Sequence, residues 1–448
     1  MRWFRTYLLP VFFTAWFYRI FAGIIGLFII AYLIPALFIF CQVLLVLFAL
    51  LVLTDYLLLF IKQNGIEATR ILPQRFSNGD ENLVTITLTN NYPFRVHVQL
   101  IDEVPVQFQL RDNSFTVMVA PGETRSQTYM LRPVERGEYL FHHLNVYIRG
   151  PFHMVIRRVR KAEETMVKVY PSYKQLRQFE LIAFSDQLSE AGNRKIRRIG
   201  HSLEFEQIRD YVTGDDIRSV NWKATARKGG HLMVNNFSDE RSQQIYCVID
   251  KGRAMKMPFR GMTLLDYSIN AALVLSKVAL LKADKAGLVT FSGDTDRLIP
   301  AERRAGQMEL ILEHLYHQQT RFDESSYEKL YNLIRKRIPQ RSLLVLFSNF
   351  ESLTALKREL AYLKSLAGRH LVLVVFFENT ELSELINTPA TDIQSLYTKT
   401  IAEQFHREKK LIIRELKQHG ILTLLTPPEE LSIHVVNKYL EIKARQAL

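Results

Sequence analysis

The sequence predicts an α/β doubly wound domain at the C-terminus, preceded by a small antiparallel β-sandwich and an N-terminal transmembrane helical hairpin. Three observations carry this. From Ile20 to Ile61 the only charged residue is Asp55, whereas a bilayer span needs about 20 apolar residues. Between Glu67 and Tyr170 short runs alternate apolar with polar side chains, the period of half-buried strands. After Asp250, short runs of Val, Ile and Leu alternate with stretches of helical period, the pattern of strands covered on both faces. The boundaries are 1–62 for two transmembrane helices, 63–172 for the β-sandwich-like module, 173–240 for a linker and 241–448 for the α/β domain.

The apolar stretch is long enough for two spans with Pro35 at the turn. It is too long for a cleaved signal peptide and has no small-residue cleavage site. Arg2, Arg5 and Arg19 precede it and Lys62, Arg70 and Arg75 follow it, while the turn has no Lys or Arg. The positive-inside rule then places both ends in the cytoplasm, giving a multi-pass membrane protein with its soluble domains facing inward. Asp55 falls near the end of the second span and is expected to be a solvated helix end.

Strands are predicted at LVTITLT, RVHVQLID, FTVMVA, QTYMLRP, YLFHHLNVYI, HMVIRRV and MVKVYP, with Asn-Gly-Asp, Ala-Pro-Gly-Glu and Glu-Arg-Gly-Glu as turns. Regular spacing over roughly a hundred residues argues for a sandwich. The basic runs Ile156–Lys161 and Asn193–Arg198 are expected on solvated surface. His142 and His143 are expected to be neighbours in one strand, facing opposite sides.

In the third region QQIYCVID, KAGLVTFS, LLVLFSN, LVLVVFF and ILTLLT are the expected strands. LLDYSINAALVLSKVALL, apolar almost all round, is the expected central buried helix. Ligands of such sheets bind beyond the C-terminal strand ends, here after Asp250, Ser292, Asn349 and Glu378.

A formal charge of +13 favours an anionic neighbour. The hairpin makes lipid the economical choice, and with no reading motif no nucleic acid is expected. Cys41 and Cys247 are the two cysteines, too few for a disulfide framework. No phosphate-binding glycine loop occurs, so any ATP belongs to a partner.

The stretch Glu204–Glu240 is dense in charge and spaces Phe205, Ile208, Tyr211, Val220 and Trp222 as a linker touching a core would. Within it Arg209, Tyr211, Gly214, Asp215, Asp216, Arg218, Asn221, Trp222, Arg227 and Glu240 form a motif that resembles the signature of the bacterial family called domain of unknown function 58. Arg136–Tyr139 and Arg149–Phe152 resemble that family's upstream β-region. The resemblance implies a C-terminal domain similar to von Willebrand factor type A domains, a MoxR-type AAA+ ATPase as partner and the bacterial inner membrane as location. It also implies where a Mg²⁺ site would lie: an Asp-x-Ser-x-Ser loop, a threonine and a later aspartate. At those positions stand Asp250, Gly252, Ala254, Thr263 and Asn349. Both serine hydroxyls and the second carboxylate are missing, so a degenerate loop is expected, with no cofactor and no metal.

Asp215 and Asp216 are read as structural. Gly214 turns the chain, an Asp caps a short helix from Ile217, and Gly229-Gly230 stops it. The expected function is a membrane-anchored, non-enzymatic protein-interaction adaptor. The alternative is a carboxylate- or metal-dependent hydrolase using Asp215, Asp216 and Asp250.

Overall fold

The computed structural model describes residues 10–110, 113–161, 164–172, 204–212, 219–227, 229, 231–238, 242–293, 295–320, 323–350, 352–389 and 392–445. The chain divides into two compact units, one up to Tyr170 and one from Pro171.

The first unit opens with strand β1 (Val11–Phe13) and two helices, α1 (Ala15–Leu33) and α2 (Ala36–Phe60), with Pro35 at the turn between them. At 1.5 Å per residue they are about 28 and 37 Å long, enough for a hydrocarbon core of ~30 Å. Their apolar side chains point mostly outward, and both are long and apolar enough to cross a membrane. Thr14 starts α1: its Oγ1 accepts from the Phe17 N–H at 3.3 Å and donates to the His153 carbonyl at 2.6 Å.

Ten strands follow: β2 (Ile66–Ile71), β3 (Arg75–Ser77), β4 (Asn82–Asn90), β5 (Val96–Asp102), β6 (Ser114–Val119), β7 (Thr124–Leu131), β8 (Gly137–Phe141), β9 (Leu144–Arg149), β10 (Val155–Lys161) and β11 (Thr165–Tyr170). They form a five-stranded sheet, β1-β10-β9-β5-β6, and two three-stranded sheets, β2-β4-β7 and β3-β11-β8. Burial alternates residue by residue along β4 and β5, as a sheet with one covered face requires. Ile86, Leu88, Val96, Val98, Leu100, Val146 and Ile148 share one core with Leu59 and Phe60 at the end of α2. The end of the apolar helical pair is therefore packed into the core of the sheets. His142 and His143 correct the expectation of a continuous strand: they lie in the break between β8 and β9.

Asp55 is the larger correction. It is fully buried, not solvated. The turn after β9 folds back over α2, so that the carboxylate accepts from the N–H groups of Phe152 (3.2 Å), Met154 (2.9 Å) and Val155 (2.9 Å). Gly150 permits this approach, since a Cβ there would lie 2.0 Å from Asp55 Oδ1. Arg157, expected on solvated surface, is also buried. Its guanidinium donates to the carbonyls of Leu59 (2.5 Å), Lys62 (2.8 Å) and Gln63 (3.1 Å), capping the C-terminal carbonyls of α2.

The second unit carries a ribbon, β12 (Glu204–Asp210) and β13 (Met233–Ser238), with a short helix α3 (Trp222–Arg227) between its strands. Its main sheet uses β14 (Gln244–Asp250), then, after a two-residue hairpin β15 (Pro258–Phe259) and β16 (Met262–Thr263), β17 (Lys285–Phe291), β18 (Thr295–Glu302), β19 (Leu343–Phe347), β20 (Leu371–Phe377) and β21 (Leu422–Thr426). The order is β18-β17-β14-β19-β20-β21. All neighbours are parallel except β18, which runs antiparallel at the edge. The chain thus starts at the centre, fills one side and then the other.

Among the described residues seven helices belong to the same unit besides α3: α4 (Leu264–Leu281), α5 (Gln307–Tyr316), α6 (Tyr327–Arg337), α7 (Leu353–Ala367), α8 (Thr380–Asn387), α9 (Ile393–Gln418) and α10 (Leu431–Ala444). One sheet face, through Val248, Phe291, Leu346 and Val374, packs on Leu330 and Ile334 of α6, Leu356 and Leu363 of α7, and Ile412 and Leu416 of α9. The other face meets α4, where Cys247 Sγ reaches the Ala272 carbonyl at 3.7 Å. Helix α4 is apolar enough for a span yet 83% buried inside the unit, as its all-round apolar sequence predicts.

Candidate functional site

The signature stretch is a built element. Strands β12 and β13 pair antiparallel from Glu204 opposite Ser238 to Asp210 opposite Met233, with an irregularity between Phe205 and Gln207. The ladder continues through the Tyr211 N–H to the Leu232 carbonyl (2.9 Å) and the Asn221 N–H to the Met233 carbonyl (2.8 Å). Asn221 caps α3: its Oδ1 accepts from the Ala224 N–H at 3.0 Å, while Nδ2 donates to Asn235 Oδ1 at 2.8 Å. Thr225 ties the helix to β13 by accepting the Met233 N–H at 3.0 Å. The expected start at Ile217 and its aspartate cap lie outside the described residues; the described helix starts at Trp222 with Asn221 as its cap. An amide at that position accepts the N–H as well as a carboxylate does. Gly229, at φ +70°, lies just past the end of α3.

Arg209 stands in β12 opposite Val234, and Arg227 closes the last turn of α3. Gly214, Asp215, Asp216, Arg218 and Glu240 lie outside the described residues. Val220 is buried, as expected of a stretch that touches a core, and so are Met233 and Val234, whereas Ile208 and Trp222, expected to touch a core as well, are not. Ile208, Val212, Trp222 and Leu232 are exposed, Trp222 by 67%. The ribbon thus keeps its small core and presents its largest apolar side chain to the outside.

Asp250 ends β14 and is buried. Its Oδ1 accepts from the Gly252 N–H at 2.8 Å and from the Ser325 hydroxyl, and its Oδ2 from the Ser348 hydroxyl at 2.7 Å. Tyr327, fully enclosed beside α6, shares a 2.7 Å hydrogen bond with Ser348. Burial pushes the Asp250 carboxyl above its ordinary pKa, against the pull of these donors. Burial, then the Asp250 charge, raises the Tyr327 phenol. The hydroxyls absent from the loop in sequence are thus supplied from the segment before α6, by Ser325, and from the end of β19, by Ser348. Gly252 must lack a side chain, because a Cβ would lie 2.0 Å from Ser325 Oγ.

The remaining positions of the degenerate loop have separate duties. Ala254 lies in the 3₁₀ turn Arg253–Lys256. Thr263 caps α4 in a reciprocal box with Asp266, accepting its N–H at 3.2 Å and donating to Oδ2 at 2.5 Å. Asn349 accepts from the Lys409 ammonium of α9, which also donates to the Phe350 carbonyl at 3.0 Å. Among the described residues no group of three or more His, Cys, Asp or Glu side chains is placed to hold a metal ion. Ser325, Tyr327 and Lys409 are the members that the sequence did not single out. The paired serines before α6, where Ser326 alone caps the helix, were the available signal.

Helix α9 adds a surface. Ile393, Tyr397, Ile401 and Phe405 follow one another at intervals of one turn, with Leu396 beside them, and all are exposed, Tyr397 by 69%. Its C-terminal half is the part buried on the sheet, through Ile412 and Leu416. The N-terminal half of the helix therefore carries an exposed apolar side.

Residues 207–406 match the family described as Protein of unknown function DUF58. The matched segment runs from the ribbon, through the Asp250 loop, to the exposed side of α9. An uncharacterized protein of Bacillus subtilis (strain 168), YeaD, is 28% identical over 186 residues. That match covers 39% of this chain and 44% of YeaD, so the chain spans less than half the length of this curated relative. Among solved structures, the ASH/PapD-like domain 7 of human CEP192 is matched at 13% identity over 24% of this chain and 87% of that domain, with a TM-score of 0.19. The CARDB domain of PF1109 from Pyrococcus furiosus, in complex with di-metal ions, is matched at 13% identity over 23% and 86%, with a TM-score of 0.18.

Proposed function

We propose that this protein is a membrane-anchored, non-enzymatic adaptor whose second unit docks a protein partner. The observation that carries it is the apolar side of α9, exposed at Ile393, Tyr397, Ile401 and Phe405. Trp222 on the ribbon is a second anchor of the kind that dominates protein interfaces. The second unit is read as a doubly wound, type A-like domain. Its Asp250 loop holds hydroxyls and a backbone N–H where a metal-binding relative would hold an ion. The partner is a MoxR-type AAA+ ATPase, which supplies the energy for assembly or maturation of a client, and both units face the cytoplasm.

The test is recovery of partners by the full-length protein, tagged and purified in detergent from its native cells. An AAA+ ATPase is expected in the eluate, and Ile401→Asp with Phe405→Asp should lower its recovery about tenfold or more. Absence of any AAA+ protein, or equal recovery by a folded double variant, overturns the proposal. A C-terminal reporter active only outside the cytoplasm overturns the topology.

A further inference from the structure

The foot of the hairpin carries a second chemistry. Asp55 lies as far along α2 from Pro35 as Thr14 lies back along α1, so the two mark one level. Three bonds hold sandwich loops at that level: Thr14 to the His153 carbonyl, the Met154 N–H to Asp55, and the Tyr92 hydroxyl to the Leu59 carbonyl at 2.7 Å. Trp16, Tyr18 and Phe152 are exposed there, and the Arg19 guanidinium stands 5.5 Å over the Trp16 ring. Aromatic residues with arginine at a span end mark the headgroup layer.

Four basic side chains gather beside these loops. His97 of β5 is directly opposite Arg149 of β9. The His97 and His153 rings are 4.9 Å apart, and Arg95 ends the turn that Tyr92 anchors. Burial, then the charges of His153, Arg149 and Arg95, hold the His97 imidazole below its ordinary pKa. The neighbouring positive charges that oppose a proton there favour an anion. Neither the Arg95 nor the Arg149 side chain has an ion-pair partner among the described residues.

We infer that Arg95, His97, Arg149 and His153 form a seat for a phosphodiester anion, the headgroup of an anionic phospholipid in the layer where the hairpin enters the bilayer. Arginine suits this ligand because its planar fork donates two parallel hydrogen bonds to phosphate oxygens. The inference rests on the anchoring of α1 and α2 in a membrane and is independent of any partner on α9.

The test is native mass spectrometry of the full-length protein in detergent, titrated with phosphatidylglycerol or phosphatidylcholine. Phosphatidylglycerol should be retained in preference, and Arg95→Gln with Arg149→Gln should weaken its retention roughly thirty-fold. Equal retention of the two lipids, or unchanged retention by the folded double variant, overturns the seat. Should that variant not fold, His97→Gln is measured in its place, and unchanged retention has the same meaning. Displacement of phosphatidylglycerol by inorganic phosphate assigns the seat to a soluble phosphate and overturns the lipid. Extraction of the protein from membranes by alkali overturns the anchoring itself; an integral protein with no lipid preference overturns the seat alone.

Discussion

Asp55 and Asp250 are both buried aspartates, one in each unit, and they are held in opposite ways. Asp55 accepts three backbone N–H groups, whereas Asp250 accepts one N–H and two hydroxyls. Backbone donors are fixed by the path of the chain and have no other partner to turn to. Hydroxyls rotate and can find another acceptor. The comparison teaches that Asp55 is committed to one fold, while Asp250 sits in a site whose chemistry a few substitutions could redirect.

The strongest way to break the comparison is Asp55→Ala. It strands three buried N–H groups and should cost about 4 kcal/mol in denaturant unfolding of the detergent-solubilised protein. Gly150→Ala should destabilise by about 2 kcal/mol or more through the same contact, because its Cβ meets the carboxylate. Equal stability of either variant would place Asp55 outside the structural core. Asp250→Ala should cost less, about 2 kcal/mol, since Ser325 and Ser348 can reorient.

Acidity sharpens the contrast further. Burial raises the Asp250 pKa in the folded state, so its penalty is absent below the ordinary aspartate range. The penalty grows as pH rises towards the folded-state value and is complete above it. Asp250→Asn should remove that loss of stability over the same window and change stability at neutral pH by about 1 kcal/mol. A pH profile identical to the parent's would show that Asp250 does not titrate there. Smallest of all, Trp222→Ala should alter stability by no more than ~0.5 kcal/mol, while reducing partner recovery; a large loss of stability would return Trp222 to a core.

The periodic elements were legible in the sequence. The Val, Ile and Leu runs gave β14, β17, β19, β20 and β21, and the uncharged run with Pro35 gave the hairpin. Elements without a clean period were not legible: β18 carries a proline and charges, and β12 and β13 mix polar with apolar residues. The site was less legible still, because its donors are far apart in sequence. Ser325 and Ser348 reach Asp250 from 75 and 98 residues away. Asp55 was misjudged for the same reason, since nothing near it in sequence announces the turn that buries it.

The distance between Asp55 and its donors has a consequence for biosynthesis. Val155 lies 100 residues beyond Asp55, and at roughly 5–20 residues per second it leaves the ribosome about 5–20 seconds after the carboxylate. Over that interval α2 is complete while the Leu59 carbonyl and Asp55 still lack Arg157 and the amides of Phe152, Met154 and Val155. The helical pair is therefore finished by the module that follows it, and a nascent chain halted before β10 would carry an unclosed helix end.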